Sequence, residues 1–496
     1  MPTRLSGWVS SVVAGVLVAA GAPAAAAPPA TPDIRYRPHA KPAAAPIGPD
    51  DSRTAIRVKF AEGAPISLRN GVLRGPHGHI PAPGVPHRLF PQSPAELAAL
   101  TDRAQRASGL ALADLNQYYE IVLHRGVDPA AALADLLARD IVEIAYPTPL
   151  PVRRDAGAPP PGVTAYAPSF VDRQRYRQST QVNGIDVDHA QTVPGGTGRN
   201  VRVLDIEGGW VRDHEDLSSL VPAEVLVPQG VPAFSDFDHG TATIGTLIGD
   251  ANAGGVTGLV PEATPRLTND TMTGGRVNRA GAITTAAAAL RPGDVMLLEM
   301  QMRGCGGGFV AVEWEPAVYD AIRAATATGI VVIEPAGNGN QNLDAACNGS
   351  PFPRGKPDSG AIVVGAGGAG PAQGCSAARS KLGFSSYGTR VDLQGWGECV
   401  VTTGYGDLHR GPAQQEYTAR FNGTSSASPI VAGAAAALSS IARERGRTLT
   451  PAQVRDILVR TGSPQTGGGK IGPLPNLRAA IAALDSLPAG AAPTRR

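Results

Sequence analysis

Residues Phe421 to Gly446 read FNGTSSASPIVAGAAAALSSIARERG, an apolar run of small residues that begins with Gly423 and the serines Ser425, Ser426 and Ser428. The run predicts a helix, and the serines at its entry raise the question of which, if any, is a nucleophile. Working outward, short and nearly continuous apolar segments alternate with helical ones. NVRVLDI, DVMLLEM, IVVIEP and GAIVVGA read as strands; HGTATIGTLIG, AVYDAIRAATATG and TPAQVRDILVRTG read as helices. Strands of that kind alternating with helices imply a parallel sheet covered on both faces. The expected class is α/β, a mostly parallel sheet sandwiched by helices.

The chain has 496 residues, which argues for more than one folded unit. Lys and Arg total 44 against 42 for Asp and Glu, and no basic run marks a nucleic-acid footprint, so charge names no partner. The first residues combine Arg4, an apolar stretch from Trp8 to about Ala22, and small residues ending at Ala27, the layout of a secretory signal peptide. That stretch is shorter than the ~20 apolar residues a spanning helix needs. A secreted, extracellular protein with no membrane association after signal removal is expected. The cysteines Cys305, Cys347, Cys375 and Cys399 suit an oxidising compartment. Of the three possible pairings, Cys305 with Cys347 and Cys375 with Cys399 is favoured. No CxxC spacing or His-rich cluster accompanies them, so zinc is not expected.

Six regions are distinguished by composition: a signal peptide (1–27), a Pro/Ala-rich connector too poor in apolar residues to fold alone (28–53), an α+β domain (54–151), a Pro/Gly-rich linker containing Arg153 and Arg154 (152–175), the α/β unit (176–488) and a tail (489–496). In the α+β domain TAIRVKF, YYEIVL and IVEIAYP read as strands, with helices at PAELAALTDRAQRASG and after Asp128-Pro129, where an acidic N-cap precedes a proline in the first turn. The order β, α, β, α, β suggests an antiparallel sheet.

In open α/β sheets functional groups gather at the carboxyl ends of strands and at helix N-termini. Four segments meet that description: Asp205 closes a strand, His239 opens a helix, Asn338 follows a strand and Ser425 opens the serine helix. A serine hydroxyl attacks well only when a neutral imidazole takes its proton, and a carboxylate must orient that imidazole. The developing oxyanion needs donors, which an asparagine amide and a helix N-terminus supply. Each residue alone has a bland reading as cap, loop or turn; their joint occurrence and flanks carry the assignment.

The segments VRVLDIEGGWVRDHEDL, DHGTATIGTLIG, IVVIEPAGNGN and FNGTSSASPIVAGAAA resemble the motifs of the subtilisin-like serine proteases, the subtilases (peptidase family S8), and the order Asp, His, Ser is that family's order. The resemblance runs from about Asn183 to Leu484. It implies Ser425 as nucleophile, Ser426 at a variable position, Ser428 as a packed helix residue, His239 as base, Asp205 as orienting carboxylate and Asn338 in the oxyanion hole, with no cofactor for the chemistry. It also implies that residues 54–151 are a ferredoxin-like propeptide that assists folding and blocks the site. The partners implied are protein or peptide substrates and the chain's own propeptide.

Departures are visible. The family's D-[ST]-G is here Asp205-Ile206-Glu207, which puts an extra carboxylate near the site. Where the family offers Ser-Leu-Gly to bind substrate backbone, this chain has EMQMRGCGGG from Glu299, with Gln301 a candidate for the serine's place. Glu334 is open to a pocket or a packed position, and the cluster Asp213, Glu215, Asp216 to a structural calcium or a solvated turn. The expected function is a secreted serine endopeptidase made as a self-processing zymogen. An α/β-hydrolase esterase would need G-x-S-x-G, which Gly423-Thr424-Ser425-Ser426-Ala427 does not match. A catalytically inactive exported binding protein of the same fold is the alternative.

Overall fold

The computed structural model describes residues 36–42, 46–150, 167–227, 237–270, 277–350, 352–353 and 355–486. The expected signal peptide, the first part of the connector, most of the linker and the tail lie outside these residues.

The first layer is built from β1 (Asp51–Phe60), the short strands β2 (Ser67–Arg69), β3 (Val72–Gly75) and β4 (Gly78–His79), β5 (Gly84–Arg88), α1 (Pro94–Ser108), β6 (Tyr118–Leu123), α2 (Pro129–Ala138) and β7 (Val142–Pro149). The main sheet is antiparallel in the order β5-β6-β1-β7, and the stretch between β1 and α1, which carries no sequence signal, holds the separate β2-β3-β4 sheet. Both helices start as their sequences dictate. Ser93 and Glu96 form a capping box before α1, and Asp128 caps α2 by accepting from Ala131 N–H.

Strand β1 alternates: Ile56, Val58 and Phe60 pack under α2, while Arg57 and Lys59 point the other way. That second face would ordinarily be solvated, yet both cations are fully buried because it lies against the next layer. Arg57 pairs with Glu315, and Tyr118 donates to Asp320 (2.7 Å). Leu89, Phe90, Leu97 and Leu100 join Ile283, Ala287, Val318 and Ile322 in one apolar cluster. The connector contributes too: His39 is buried, with Nε2 3.0 Å from Asp320 Oδ2.

The second layer comprises α3 (Val187–Ala190), β8 (Arg202–Glu207), β9 (Glu224–Val225), α4 (Phe237–Ile248), β10 (Thr264–Asn269), α5 (Arg279–Ala289), β11 (Val295–Leu298), the hairpin β12 (Gln301–Arg303) and β13 (Phe309–Ala311), and α6 (Pro316–Ala327). It continues with β14 (Val331–Pro335), β15 (Ile362–Gly367), β16 (Leu393–Trp396), the hairpin β17 (Val400–Thr403) and β18 (Tyr417–Phe421), α7 (Thr424–Glu444), α8 (Pro451–Thr461) and α9 (Leu477–Asp485). Its sheet is parallel, seven strands in the order β16-β15-β14-β11-β8-β10-β9. From β8 the chain runs outward to β10 on one side and then restarts at β11 on the other, so the order reverses between β8 and β11. A crevice at the carboxyl ends of such strands is where α/β sheets place their sites.

Helix α7 has the length and apolarity to cross a bilayer, but 94% of its most apolar stretch is buried, which makes it the central core helix. Residues 167–175, expected as linker, are part of the fold: Ala167 and Phe170 are buried, and Ala167 N–H donates to Glu215 (3.0 Å). Cys305 is joined to Cys347 and Cys375 to Cys399, as favoured from the sequence.

Candidate active site

Helix α7 starts at Gly423, whose φ of +108° suits glycine alone. A Cβ there would lie 3.2 Å from both Asn338 Nδ2 and Ser425 Oγ, so this glycine's bareness lets the two approach one another. The three serines separate cleanly. Ser426 Oγ is buried within hydrogen-bond reach of Trp396 O and Gly423 O, and Ser428 Oγ is buried between Thr424 O and Glu299. Only Ser425 keeps surface, and its hydroxyl makes no hydrogen bond to a described residue. Its amide lies in the first turn, where helix N–H groups lack intrahelical partners and favour negative charge.

Asn338 sits just beyond β14. Its Oδ1 accepts from Thr424 N–H and Thr424 Oγ1 (both 2.8 Å), which fixes the amide with Nδ2 toward Ser425, and its own N–H donates to Gln301 Oε1 (2.8 Å). Gln301 thus holds the loop that carries Asn338. His239 lies in the first turn of α4 and is 9% exposed, its ring edge-on to Phe421 with centroids 5.5 Å apart.

The carboxylate that meets His239 Nδ1 is that of Glu207, at 2.7 Å to Oε2. Glu207 Oε1 accepts from Gly208 N–H (2.8 Å), so each oxygen has an N–H donor. Asp205, expected in this place, instead accepts from Trp210 Nε1 at 2.8 Å. The physical reason is depth. Residues two apart on a strand share a face, so Asp205 and Glu207 both point toward α4 and α7, but β8 runs two residues past Asp205 and Glu207 is the one at its carboxyl end. Gly240 makes room for it: a Cβ at Gly240 would fall 2.4 Å from Glu207 Cγ. The signal is present in Glu207-Gly208-Gly209, a carboxylate with glycines directly after it, displaced two positions from the aspartate.

Glu299, just past β11, carries no signal in the sequence beyond opening the altered segment. It is 3% exposed, and one oxygen each of Glu207 and Glu299 and one nitrogen of His239 all lie within 4.8 Å of one another. Glu334 is packed rather than in a pocket, accepting from Glu313 N–H (3.2 Å); burial, and then the Glu313 charge, push its carboxyl well above the usual range. Asp216 is neither solvated nor open. Its oxygens accept from Asn252 Nδ2 (2.8 Å) and Val256 N–H (2.6 Å), donors that stand where a cation's ligand field would lie, and burial raises its carboxyl to about 8. Glu215 accepts from Ala167 N–H and Tyr417, and Asp213 from Gln414.

A serine at a helix N-terminus, an asparagine amide beside it and a carboxylate-held histidine stand at the switch point of a parallel sheet, in a subtilisin-like α/β fold. Residues 232–472 match the subtilase family of peptidases, and this part of the chain is a subtilisin-like serine peptidase domain. The chain is 28% identical over 288 residues to Subtilisin E of Bacillus subtilis (strain 168), covering 55% of this chain and 67% of that protein. It is 27% identical over 314 residues to an extracellular protease of Xanthomonas campestris pv. campestris, covering 60% of this chain and 47% of that protein. Among solved structures, fervidolysin from Fervidobacterium pennivorans, described as a keratinolytic enzyme related to subtilisin, superposes with a TM-score of 0.53 at 17% identity, over 92% of this chain and 64% of that one. That likeness concerns the fold.

Proposed function

We propose that this protein is a secreted serine endopeptidase, made as a self-processing zymogen, in which Ser425 attacks the scissile carbonyl, His239 takes and returns the proton, and Glu207 rather than Asp205 orients the imidazole. The observation that carries the reading is the 2.7 Å contact between His239 Nδ1 and Glu207 Oε2. An ionised carboxylate there keeps the ring proton on Nδ1 and leaves Nε2 unprotonated, the form a base needs. The oxyanion falls to Asn338 Nδ2 and the Ser425 amide, donors fixed before the substrate arrives.

Burial of Arg57, His39 and the Leu89–Leu100 face against α5 and α6 supports a propeptide role for the first layer. So does the end of β7. Leu150 N–H donates to Asp50 O (2.8 Å), and Asp50 pairs with Arg303 on the hairpin whose Gln301 holds Asn338. Through these contacts the last described residue of the first layer, Leu150, is tied to the hairpin that supports the Asn338 loop. Since residues 167–177 are woven into the second layer, the first cut, expected between about Pro149 and Arg177, falls before Ala167. The test is labelling of the processed protein with a fluorophosphonate and identification of the modified residue by mass spectrometry. Ser425 is the expected adduct; modification elsewhere, or none on a protein that also fails to cleave an unfolded substrate, rejects the reading in favour of an inactive binding protein.

A further inference from the structure

Two buried glutamates stand beside one histidine, and a single serine hydroxyl tells them apart. The strands β8 and β11 run parallel with Leu297 opposite Asp205 and Leu298 opposite Ile206, and Glu299 N–H donates to Ile206 O (3.1 Å). Glu299 therefore continues that register beside Glu207, on the same face. Side chains opposite one another on adjacent strands interact directly, and like charges there repel. Both residues are buried, at 0% and 3% exposed. Two ionised carboxylates at such a site disfavour each other, and one proton retained by the pair relieves both the repulsion and the desolvation.

Hydrogen bonding shows which partner keeps it. Glu207 receives two N–H donors, from Gly208 and His239, and these favour its ionised form. Glu299 Oε1 lies 2.5 Å from Ser428 Oγ, which also lies 3.0 Å from Thr424 O, the carbonyl one turn back. A hydroxyl has one hydrogen. Helical serines commonly donate it to the carbonyl four residues earlier, and a hydrogen bond between Ser428 and Glu299 then needs a proton from the glutamate. We propose that Glu299 is a positioning residue held as a neutral carboxylic acid, donating to Ser428 Oγ and so tying the nucleophile's helix to the Glu207–His239 pair without placing a second charge beside the imidazole. The proposal rests on the reading of Glu207 as the orienting carboxylate. The described groups around Glu299 include Glu207 on β8, His239 on α4 and Ser428 on α7.

The test is the pH profile of kcat/KM on a peptide substrate for the processed wild-type enzyme and for Glu299→Gln, Glu299→Ala and Glu207→Gln. An amide keeps the size of the neutral acid and can still donate to Ser428. Glu299→Gln should therefore recover about tenfold over Glu299→Ala and keep the midpoint of the acid limb, while losing an alkaline transition that the wild type shows as Glu299 ionises. An acid limb displaced to lower pH by about half a unit or more in Glu299→Gln would mean that the native residue is charged, and equal losses in Gln and Ala variants would mean no hydrogen-bonding role; either overturns the proposal. A Glu207→Gln enzyme with near-native turnover would instead overturn the reading of Glu207. Should Glu299→Gln fail to mature, infrared spectra of the full-length Ser425→Ala chain at pH 7 serve the same end. A protonated-carboxyl band that shifts on adding Ser428→Ala supports the proposal, and the absence of such a shift refutes it.

Discussion

Replacing Glu207 by glutamine changes one atom and forces a choice between two hydrogen-bond donors. The glutamate uses both oxygens as acceptors, Oε1 from Gly208 N–H and Oε2 from His239 Nδ1. An amide has only one oxygen. The Gly208 donor belongs to the backbone and cannot be withdrawn, so the amide oxygen turns to it and the NH₂ group faces His239. Nδ1 must then accept, and the ring proton moves to Nε2, the atom that should receive the serine proton. The same tautomer inversion in a chymotrypsin-like triad lowers kcat about 10⁴-fold, or about 5 kcal/mol of transition-state stabilisation, and we expect that order here with KM little changed. Asp205→Asn is the matched control. Its amide oxygen can still accept from Trp210 Nε1, so turnover should stay within about fivefold of wild type. Both variants are matured in trans by a tagged wild-type enzyme that is then removed, and kcat and KM are measured on a chromogenic peptide after active-site titration. A collapse in Asp205→Asn with Glu207→Gln near normal would refute the argument.

Ser425→Ala and His239→Ala should each lower turnover by about a millionfold, and the double variant no further, as in the subtilisin precedent; a double variant far worse than either would deny a shared mechanism. Asn338→Ala should cost about 10²–10³ in kcat at nearly constant KM, and a change in KM alone would make it a binding residue. Arg57→Met leaves Glu315 buried without its cation, so the full-length Ser425→Ala chain should lose about 3–5 kcal/mol and show a lower Tm; Arg57→Met with Glu315→Leu should recover most of it, and additive losses would refute the pairing. Burial pushes the His39 imidazole below its usual 6.5, against the opposing pull of the Asp320 carboxylate beside it. The docked His39 is then neutral and the undocked one takes up a proton first, so docking is at full strength above about pH 6.5 and weakens as pH falls below it. Hydrogen exchange of residues 36–42 should accelerate on acidification, and a flat response would contradict the assignment.

Alternation of strand and helix makes the parallel sheet legible, because continuous apolar strands need cover on both faces. The serine, histidine and asparagine lie beside helix entries and strand ends that leave local traces. Glu207 does not announce itself for a specific reason: alternation places it on the same face as Asp205, so the pattern cannot rank them, and only the strand's length decides which reaches the histidine. Ser428 reads as a packed helix residue and it is packed, but its partner Glu299 is distant in sequence and joined to it only by the register of β8 and β11. The burial of Arg57 and Lys59 is hidden likewise, since an alternating strand says which face is polar and not what lies against it.

Helix α7 carries Ser425 in its first turn and runs through the middle of the largest apolar cluster, with Ile430 to Ala437 wholly buried. Segments of that kind open only with the whole domain, whereas loops open at little cost. Heat should therefore extinguish activity at the temperature where the domain melts. No warmed state that is still folded yet has mislaid its serine is expected, because the part of the site that must not move is attached to the part of the protein that yields last.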